Sequence, residues 1–454
     1  MKRDYLVTDM PLKALFIFSL PMVLGNFFQQ LYNTVDSAIV GRYVSEQALA
    51  AVGASYALTT VFISIAIGGG VGASVVISRY FGAHEYDKMK QAIYTAFIAF
   101  FLLSAILGLF GFVASHQIMS WLKTPADSLA MADTYLQIYF LGLPFLFMYN
   151  IIAATFNALG KSRYPLVFLI FSSLLNIGLD LYMVRNLGMG VAGAAWATLI
   201  AQGLSAVLSF AVFHNRLKKV GSAPSYYSGK VLHKMTKVAL PSILQQSIVS
   251  IGMMLVQSVV NSFGSAVIAG YSSAIKLNTF SVTCMSTLAN GLSSFTAQNI
   301  GAHKESRITD GLKESLRMGV LVCLPFVVIY LFLGRFAIGL FLDNGSPNAI
   351  HAGMMFLRIV SPFYFVVMVK AMCDGVLRGT SSIAYFTTTT FTDLVLRVVL
   401  AYFFVKALSM DSTGIWLSWP VGWTLSAALS FWFYHIRPWQ HHGPKPKRRM
   451  AAKS

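Results

Sequence analysis

The feature that most constrains this chain is a series of long apolar runs that recurs from one end of the sequence to the other. A run of about 18 residues is long enough to cross a hydrocarbon core of roughly 30 Å as a helix. Only 11% of the 454 residues are charged and 56% are hydrophobic, whereas a soluble domain usually carries about 25% charged residues. The runs also lack the alternating pattern of a membrane β-strand. The sequence therefore predicts an all-α membrane protein.

Polar, glycine and proline residues divide the apolar runs into twelve predicted transmembrane helices. A helix is expected in each because a backbone in lipid must satisfy its own hydrogen bonds. The predicted spans are 14–40, 48–78, 91–115, 131–157, 164–186, 191–213, 237–262, 265–299, 314–342, 350–377, 383–408 and 414–436.

Basic residues are distributed unevenly between alternate connections of the predicted spans. One set of connections holds 25 of the 34 Lys and Arg residues, and the opposite set holds 5. Because cytoplasmic loops carry an excess of Lys and Arg, we expect an inner-membrane protein of a bacterium with both termini in the cytoplasm. The net charge of +18 then reflects membrane topology, and no nucleic acid is expected as a partner. The basic tail at 437–454 is expected to fix the topology, with contact to anionic lipid as the alternative.

Motifs for nucleotide hydrolysis or metal binding are missing from the sequence. The glycine-rich segment 68–73 lacks the Gly-Lys-Ser/Thr ending of a phosphate loop. The cysteines Cys284, Cys323 and Cys373 lie in apolar runs without CxxC spacing, so we expect small core residues. The chain is therefore not expected to be an enzyme or to need a cofactor, and a gradient of H⁺ or Na⁺ is the expected energy source.

The chain contains two similar halves, at an offset of about 220 residues. Phe18-Ser-Leu-Pro21 returns as Val238-Ala-Leu-Pro241, and Phe81-Gly-Ala-His84 returns as Ile300-Gly-Ala-His303. Six spans in each half give both halves the same orientation, which predicts two six-helix lobes related by a pseudo-twofold axis along the membrane normal, around a central cleft. The predicted units are an N-lobe at 1–213, a cytoplasmic linker at 214–236 and a C-lobe at 237–436, followed by the tail.

Two aspartates interrupt the apolar spans of the first half. A charge near the bilayer centre costs about 2.5–3.5 kcal/mol, so Asp36 and Asp180 need an explanation. Asn176 lies four residues before Asp180, on the same helix face. Two carboxylates and an amide offer oxygen ligands to a hard cation such as Na⁺, and they suit protonation equally well. The alternative is that both aspartates accept hydrogen bonds between helices of a closed bundle.

The second half carries a different pattern of buried charge. Lys370 and Asp374, and likewise Asp393 and Arg397, are four residues apart, so each pair can neutralise itself within one helix. We expect Asp393 and Arg397 to form a structural ion pair. Lys370 and Asp374 suit a structural pair and a contact in the cleft equally well.

Uncharged polar residues in the spans are candidates for a substrate cleft, and hydrogen bonding between helices explains them equally well. Aromatic faces attract cations and methionine adapts to varied shapes, so the 35 Phe, 20 Tyr and 20 Met residues suit organic cations as cargo. The candidates for the cleft are Gln29, Gln30, Tyr32, Asn157, Gln245, Gln246, Lys370 and Asp374.

Several motifs resemble the multidrug and toxic compound extrusion (MATE) family, over about residues 10–436. They are Gln29-Gln-Leu-Tyr-Asn-Thr-Val-Asp36, the segment 72–83, Asn157-Ala-Leu-Gly160 and Leu175-Asn-Ile-Gly-Leu-Asp180. The pattern is most similar to the prokaryotic DinF-like and MepA-like branches. That resemblance implies secondary multidrug efflux by alternating access, and a monomer is expected. It also implies a cation or proton site at Asp36, Asn176, Asp180 and Thr198.

A lipid-linked oligosaccharide or lipid II flippase of the same superfamily is the alternative function. Such proteins usually carry basic residues in the cleft and often have additional spans. Lys276 and Lys370 would support it, whereas the acidic first half and the count of twelve spans favour the exporter.

Overall fold

The computed structural model describes residues 4–121, 126–218, 225–339 and 346–437, and within these ranges the chain is helical with no strand. The predicted tail lies outside them, apart from its first residue. π-Helical segments at Leu181–Asn186 and Phe403–Ala407 continue α6 and α14, and a 3-10 turn at Ser361–Phe363 joins α12 to α13. The α-helices are α1 (Tyr5–Thr8), α2 (Pro11–Tyr43), α3 (Glu46–Gly82), α4 (Tyr86–Trp121), α5 (Ala126–Ala158), α6 (Arg163–Asp180), α7 (Gly190–Leu217), α8 (Gly229–Asn261), α9 (Ser265–Gly301), α10 (Ser306–Phe332), α11 (Gly334–Gly339), α12 (Pro347–Val360), α13 (Tyr364–Gly379), α14 (Ile383–Tyr402) and α15 (Ser412–Ile436).

Each predicted span corresponds to one long helical unit of the described chain, which confirms the all-α fold of twelve spans. Ten of these units are long and apolar enough to cross a membrane by length and mean hydropathy. The other two, α9 and α15, are less apolar because α9 is rich in Ser, Thr and Asn and α15 is rich in Ser and Trp. Many of these residues are buried, among them Asn278, Thr287, Trp416 and Trp419, whereas Trp432 is 59% exposed.

Two boundaries differ from the sequence-based expectation. A continuous span was expected at 314–342, but α10 begins earlier and ends at Phe332, and a short helix, α11, follows from Gly334. The expected connection at 214–236 is shorter, because α7 continues to Leu217 and α8 begins at Gly229. Ser228 accepts a hydrogen bond from the backbone N–H of Val231 and so caps α8.

The helices form two lobes, α2–α7 and α8–α15, each built around a large apolar cluster. The C-lobe cluster also includes Leu15 and Phe18 of α2, and the N-lobe cluster includes Val231 and Met235 of α8. In the C-lobe, Trp416 stacks on Tyr271, with 5.3 Å between ring centroids. The outer faces are apolar as well: Ile106, Leu109 and Val113 on α4 are all more than half exposed. A row of exposed aliphatic side chains at helical spacing fits a lipid-facing surface. The N-lobe core is centred on Phe62, Phe97, Phe140, Phe147, Phe156 and Phe213.

The internal repeat is visible in the backbone itself. His84 and His303, from the two Gly-Ala-His motifs, both adopt a left-handed conformation with φ of 57°. Gly160 and Ser381, which follow the fourth span of each half, do the same, with φ of 70° and 59°. Residues other than glycine rarely adopt this backbone conformation, so its occurrence at His84 and His303, and at Ser381 opposite Gly160, shows that the two halves share one chain path.

The lobes meet at the end of the molecule where α2 and α8 begin and where α3 and α9 end. Gly72 packs against Ala239, and a Cβ atom there would overlap it. Gly82 and Gly301 make reciprocal contacts: the first abuts the backbone of Gln298 and the second abuts the backbone at Arg79. The central cleft is therefore closed at this end, which we call the closed end.

Candidate functional site

An acidic pair lies inside the N-lobe, between α2 and α6. The carboxyl groups of Asp36 and Asp180 are within hydrogen-bonding range of each other. Asp180 is 0% exposed. One carboxyl oxygen of each aspartate is buried without any hydrogen-bond partner. Buried polar atoms are nearly always satisfied, so these two oxygens indicate a position for a proton, a water molecule or a cation.

Asn176 and Thr198 extend this pair into a polar network. Asn176 is 1% exposed and lies one helical turn before Asp180. When its amide is oriented to satisfy both polar atoms, Nδ2 donates to Asp180 Oδ2 at 2.8 Å and Oδ1 accepts from the Thr198 hydroxyl at 3.2 Å. The four residues that the motifs selected are thus brought together from α2, α6 and α7.

Two tyrosines complete the surroundings of the acidic pair. The Tyr32 hydroxyl contacts Thr198, and Tyr135 on α5 lies within electrostatic range of both carboxylates. Tyr32 was assigned to the substrate cleft from the sequence, but it lies in this polar network. Tyr135 was not selected, because it belongs to a different span and has no sequence spacing that relates it to Asp36 or Asp180.

The helix that carries Asp180 changes its geometry directly after this residue. Asp180 is the last residue of α6, directly before the π-helical segment Leu181–Asn186. A π-helical turn widens the backbone and occurs often at functional sites. An apolar cluster that includes Ile39, Val184 and Val191 packs beside the network and limits the access of water from that side.

A cavity of about 50 Å³ adjoins this network. A space of that size can hold a few water molecules or a hydrated ion, whereas pockets for drug-sized ligands are about 300–1,000 Å³. The cavity therefore suits the coupling ion better than the cargo. We call it the N-lobe chamber; it is lined by Gln29, Tyr32, Tyr149, Leu169, Ser172, Ser173, Asn176, Thr198, Ala201 and Gln202.

The remaining cleft candidates are more scattered. Gln29 Nε2 donates to Asn33 at 3.3 Å, and Gln30 accepts from Asn33 at 3.5 Å. Gln245 is half-buried and Gln246 is exposed on α8. Asn157 lies near the closed end, beside Ala158, whose carbonyl accepts from residues of both lobes. Of these candidates, Gln29 lines the N-lobe chamber.

Two pairs of charged residues lie inside the C-lobe, and the first, Lys370 with Asp374, is buried. Lys370 Nζ donates to Asp374 Oδ2 at 2.8 Å. The other Asp374 oxygen accepts from the hydroxyls of Thr389 at 2.8 Å and Ser430 at 2.9 Å. Each carboxylate oxygen therefore has a donor, and the Lys370 charge is used within the lobe.

The second C-lobe pair is built in the same way. Arg397 Nη2 donates to both oxygens of Asp393 at 3.0 Å. Its guanidinium lies over the Trp419 ring, 4.4 Å from the centroid. Opposite charges thus neutralise one another in the C-lobe, whereas the N-lobe pair has no cationic partner among the contacts described. Within the described ranges, no group of three His, Cys, Asp or Glu residues is placed to bind a metal ion.

Two six-helix lobes, with a buried pair of carboxyl groups beside a small cavity in one of them, are typical of a polytopic membrane transporter. The MatE family profile matches residues 21–182 and 241–403, once in each half. The chain belongs to the MATE family of transporters, which confirms the family inferred from the motifs.

Related proteins agree over nearly the whole chain. It is 28% identical to the "probable multidrug resistance protein YpnP" of Bacillus subtilis (strain 168), over 94% of this chain and 96% of that protein. It is 25% identical to the "multidrug export protein MepA" of Staphylococcus aureus (strain MSSA476), over 81% of each. A solved structure described as the outward-facing conformation of a multidrug resistance MATE family transporter superposes with a TM-score of 0.87, at 23% identity, over 96% of this chain and 98% of that one.

Proposed function

We propose that this protein is a secondary multidrug efflux transporter that exports amphipathic organic cations in exchange for H⁺ or Na⁺. The observation that carries the proposal is the contact between the Asp36 and Asp180 carboxyl groups, with an unpartnered buried oxygen on each. Family membership and the names of the relatives support multidrug efflux. The coupling ion and the class of cargo are our inference from the chamber.

The Asp36–Asp180 pair beside the N-lobe chamber gains or loses a small cation because the two carboxylates repel each other when both are charged. At an effective dielectric constant near 20, two like charges about 4 Å apart repel by about 4 kcal/mol. A proton or a Na⁺ ion between them removes that repulsion. Asn176 and Thr198 supply further oxygen atoms, so the donor set also fits a hard cation. Loading pulls α2 towards α6, and unloading releases it.

This movement is the proposed link between the ion and the cargo. α2 also packs against the C-lobe, where Asn26 donates to Thr287 and Phe27 contacts Phe280, with 6.1 Å between ring centroids. A change in the position of α2 therefore changes the surface between the lobes. We propose that the lobes alternate between a state closed at one end and a state closed at the other, so that ion and cargo exchange across the membrane.

We further propose a bacterial inner-membrane location, with both termini and the closed end on the cytoplasmic side. The support is the charge asymmetry of the connections, since Arg79, Lys88 and Lys304 all lie at the closed end. On this assignment the structure represents an outward-facing state. The protein is proposed to act as a monomer, with the N-lobe ending at Leu217 and the C-lobe beginning at Gly229.

Transport of a fluorescent organic cation in everted vesicles tests the proposal. An imposed pH gradient and an imposed Na⁺ gradient are compared for the wild type and for Asp36→Asn. We expect one gradient to drive transport by the wild type and neither to drive transport by Asp36→Asn at equal membrane abundance. Asp87→Asn is the matched control, because Asp87 is exposed and far from the chamber. Gradient-driven transport by Asp36→Asn at the wild-type rate would refute the role of the pair.

The flippase alternative receives less support. Lys370 is 7% exposed and paired with Asp374, so it does not offer a free positive charge to a phosphate in the cleft. The carboxyl groups of Asp36 and Asp180 lie beside the N-lobe chamber, which disfavours an anionic lipid headgroup there.

A further inference from the structure

The segment before the first membrane helix crosses between the two lobes. Residues 4–9, which we call the N-terminal strap, contain the short helix α1. The side chains of Leu6 and Val7 are 1% and 4% exposed, although the segment lies outside the membrane spans. Burial of this kind at the end of a chain requires specific partners.

The strap is held to the C-lobe through its backbone carbonyls. Asn299 Nδ2 donates to the carbonyl of Leu6 at 3.0 Å, and Lys304 Nζ donates to that of Val7 at 3.2 Å. Arg307 donates to the carbonyl of Asp9 at 2.5 Å and to that of Leu6 at 3.4 Å. Two of the donors are cationic, and such hydrogen bonds are stronger than neutral ones.

The same segment is also bound to the N-lobe. The Tyr5 hydroxyl donates to the carbonyl of Gly160 at 2.7 Å, and the Asp4 carboxylate lies 3.5 Å from Nδ1 of His84. Gly160 is in the α5–α6 connection and His84 is in the α3–α4 connection. The chain then enters α2, which belongs to the N-lobe. At the closed end the strap therefore joins the α3–α4 and α5–α6 connections of the N-lobe to the α9–α10 connection of the C-lobe.

The repeat contains a second crossing of the same kind. Ser225 accepts from Gln91 at 3.0 Å, and the Ser228 backbone N–H donates to Thr95 at 3.1 Å. Tyr226 packs edge-on against Tyr94, with 5.1 Å between ring centroids. The segment before α2 thus docks on α10 of the C-lobe and the connection before it. The segment before α8 docks on α4 of the N-lobe. Because the corresponding segments of both halves make such contacts, we infer that this docking belongs to the repeated fold.

We propose that the N-terminal strap is a latch that stabilises the state closed at the predicted cytoplasmic end. Opening that end moves Gly160 and His84 away from Asn299 and Arg307, so one set of strap contacts must break in every transport cycle. The inference rests on the proposed alternation between two states. Burial raises the pKa of the Tyr5 phenol to about 12, so its hydroxyl remains a donor at the pH of any transport assay.

Distances between spin labels at the two ends of the molecule test the latch. The closed-end pair is Lys88→Cys with Lys313→Cys, and the opposite pair is Leu187→Cys with Leu408→Cys. All four positions are exposed. The three native cysteines are buried and are replaced by alanine. When the closed end opens, the first distance lengthens and the second shortens.

The test variants weaken the strap on one lobe at a time: Tyr5→Phe removes its hydrogen bond to the N-lobe, and Arg307→Gln removes two hydrogen bonds to the C-lobe. We expect the ratio of the open to the closed population to rise about fivefold for Tyr5→Phe and about tenfold for Arg307→Gln. Arg317→Gln is the matched control, because Arg317 pairs with Glu314 on the same helix, α10, and is 73% exposed. Its distances should equal those of the wild type.

The outcomes separate the latch from the proposed transport cycle. If pH or Na⁺ changes the wild-type distances but both strap variants give wild-type populations, the latch is overturned and the alternation stands. A lower melting temperature without any shift of population also overturns the latch, because the contacts are then only structural. If wild-type distances never change at either end, the proposed alternation fails and the latch fails with it.

Discussion

The reciprocal glycine contacts at the closed end make a quantitative prediction. Gly82 and Gly301 each leave room for a backbone segment of the other lobe, and a Cβ atom on either would collide with it. A backbone segment inside a helix cannot rotate away as the end of a flexible side chain can. Overpacking of this kind costs about 1–3 kcal/mol. Because the lobes separate when this end opens, the cost applies to the closed state alone.

Because this cost applies to the closed state alone, it changes the ratio of the closed to the open population. A penalty of about 1–3 kcal/mol on one of two states changes their ratio by about 5- to 150-fold. Gly82→Ala and Gly301→Ala should therefore each shift the protein towards the state open at the predicted cytoplasmic end. Since both substitutions act at one junction, their effects should not add in the double variant.

A cysteine at position 75 reports the shift. Val75 is 2% exposed and packs against Val238 at the junction of the lobes, so Val75→Cys should react with a soluble maleimide only when this end opens. We expect Gly82→Ala to raise the reaction rate at least about fivefold. Gly53→Ala, on the same helix with nothing within 4 Å of the added atom, is the control. Equal rates in all three proteins would refute the steric reasoning.

Three further substitutions test the chamber and the C-lobe pairs. Thr198→Val removes a hydroxyl bound to Asn176 and should weaken cation loading by about 1 kcal/mol, or about fivefold in the cation concentration for half-maximal exchange; Thr198→Ser should keep the wild-type value. Asp180→Asn removes one of the two charges, so exchange should lose its response to either ion gradient, and a retained response would contradict the shared site. Lys370→Met leaves the Asp374 carboxylate buried without its cation and should destabilise the fold by about 3–5 kcal/mol, whereas Lys370→Met with Asp374→Leu should recover most of it; thermal unfolding in detergent measures both, and equal loss in the two variants would contradict the pairing.

The architecture was predictable because its signals are local and repeated. Apolar runs fix the spans, and the alternation of charge fixes an even number of them. The two Gly-Ala-His motifs fix the relation between the halves. The exact ends of the helices were harder to predict. The break after Phe332 and the start of α8 at Gly229 depend on packing and capping, which composition does not reveal.

The chamber was predictable where its residues share one helix or one motif. Asn176 and Asp180 are a helical turn apart, so their shared face follows from the sequence. Tyr135 was missed because only the tertiary fold places α5 beside the carboxylates. The strap was missed for a related reason: residues 4–9 carry no long periodic pattern, and their partners are far away in the chain.

The difference in charge between the two lobes determines how much work the membrane voltage does in one transport cycle. Two charged pairs of the C-lobe neutralise themselves, and on the proposed mechanism the acidic pair at the N-lobe chamber takes up the ion. If that chamber carries one monovalent ion inward for each singly charged cargo molecule sent outward, no net charge crosses the membrane and the voltage does no work. A doubly charged cargo would instead move one charge outward, at about 2.3 kcal/mol for each 100 mV. Efflux of dications should then slow as the interior becomes more negative, while efflux of monocations should not.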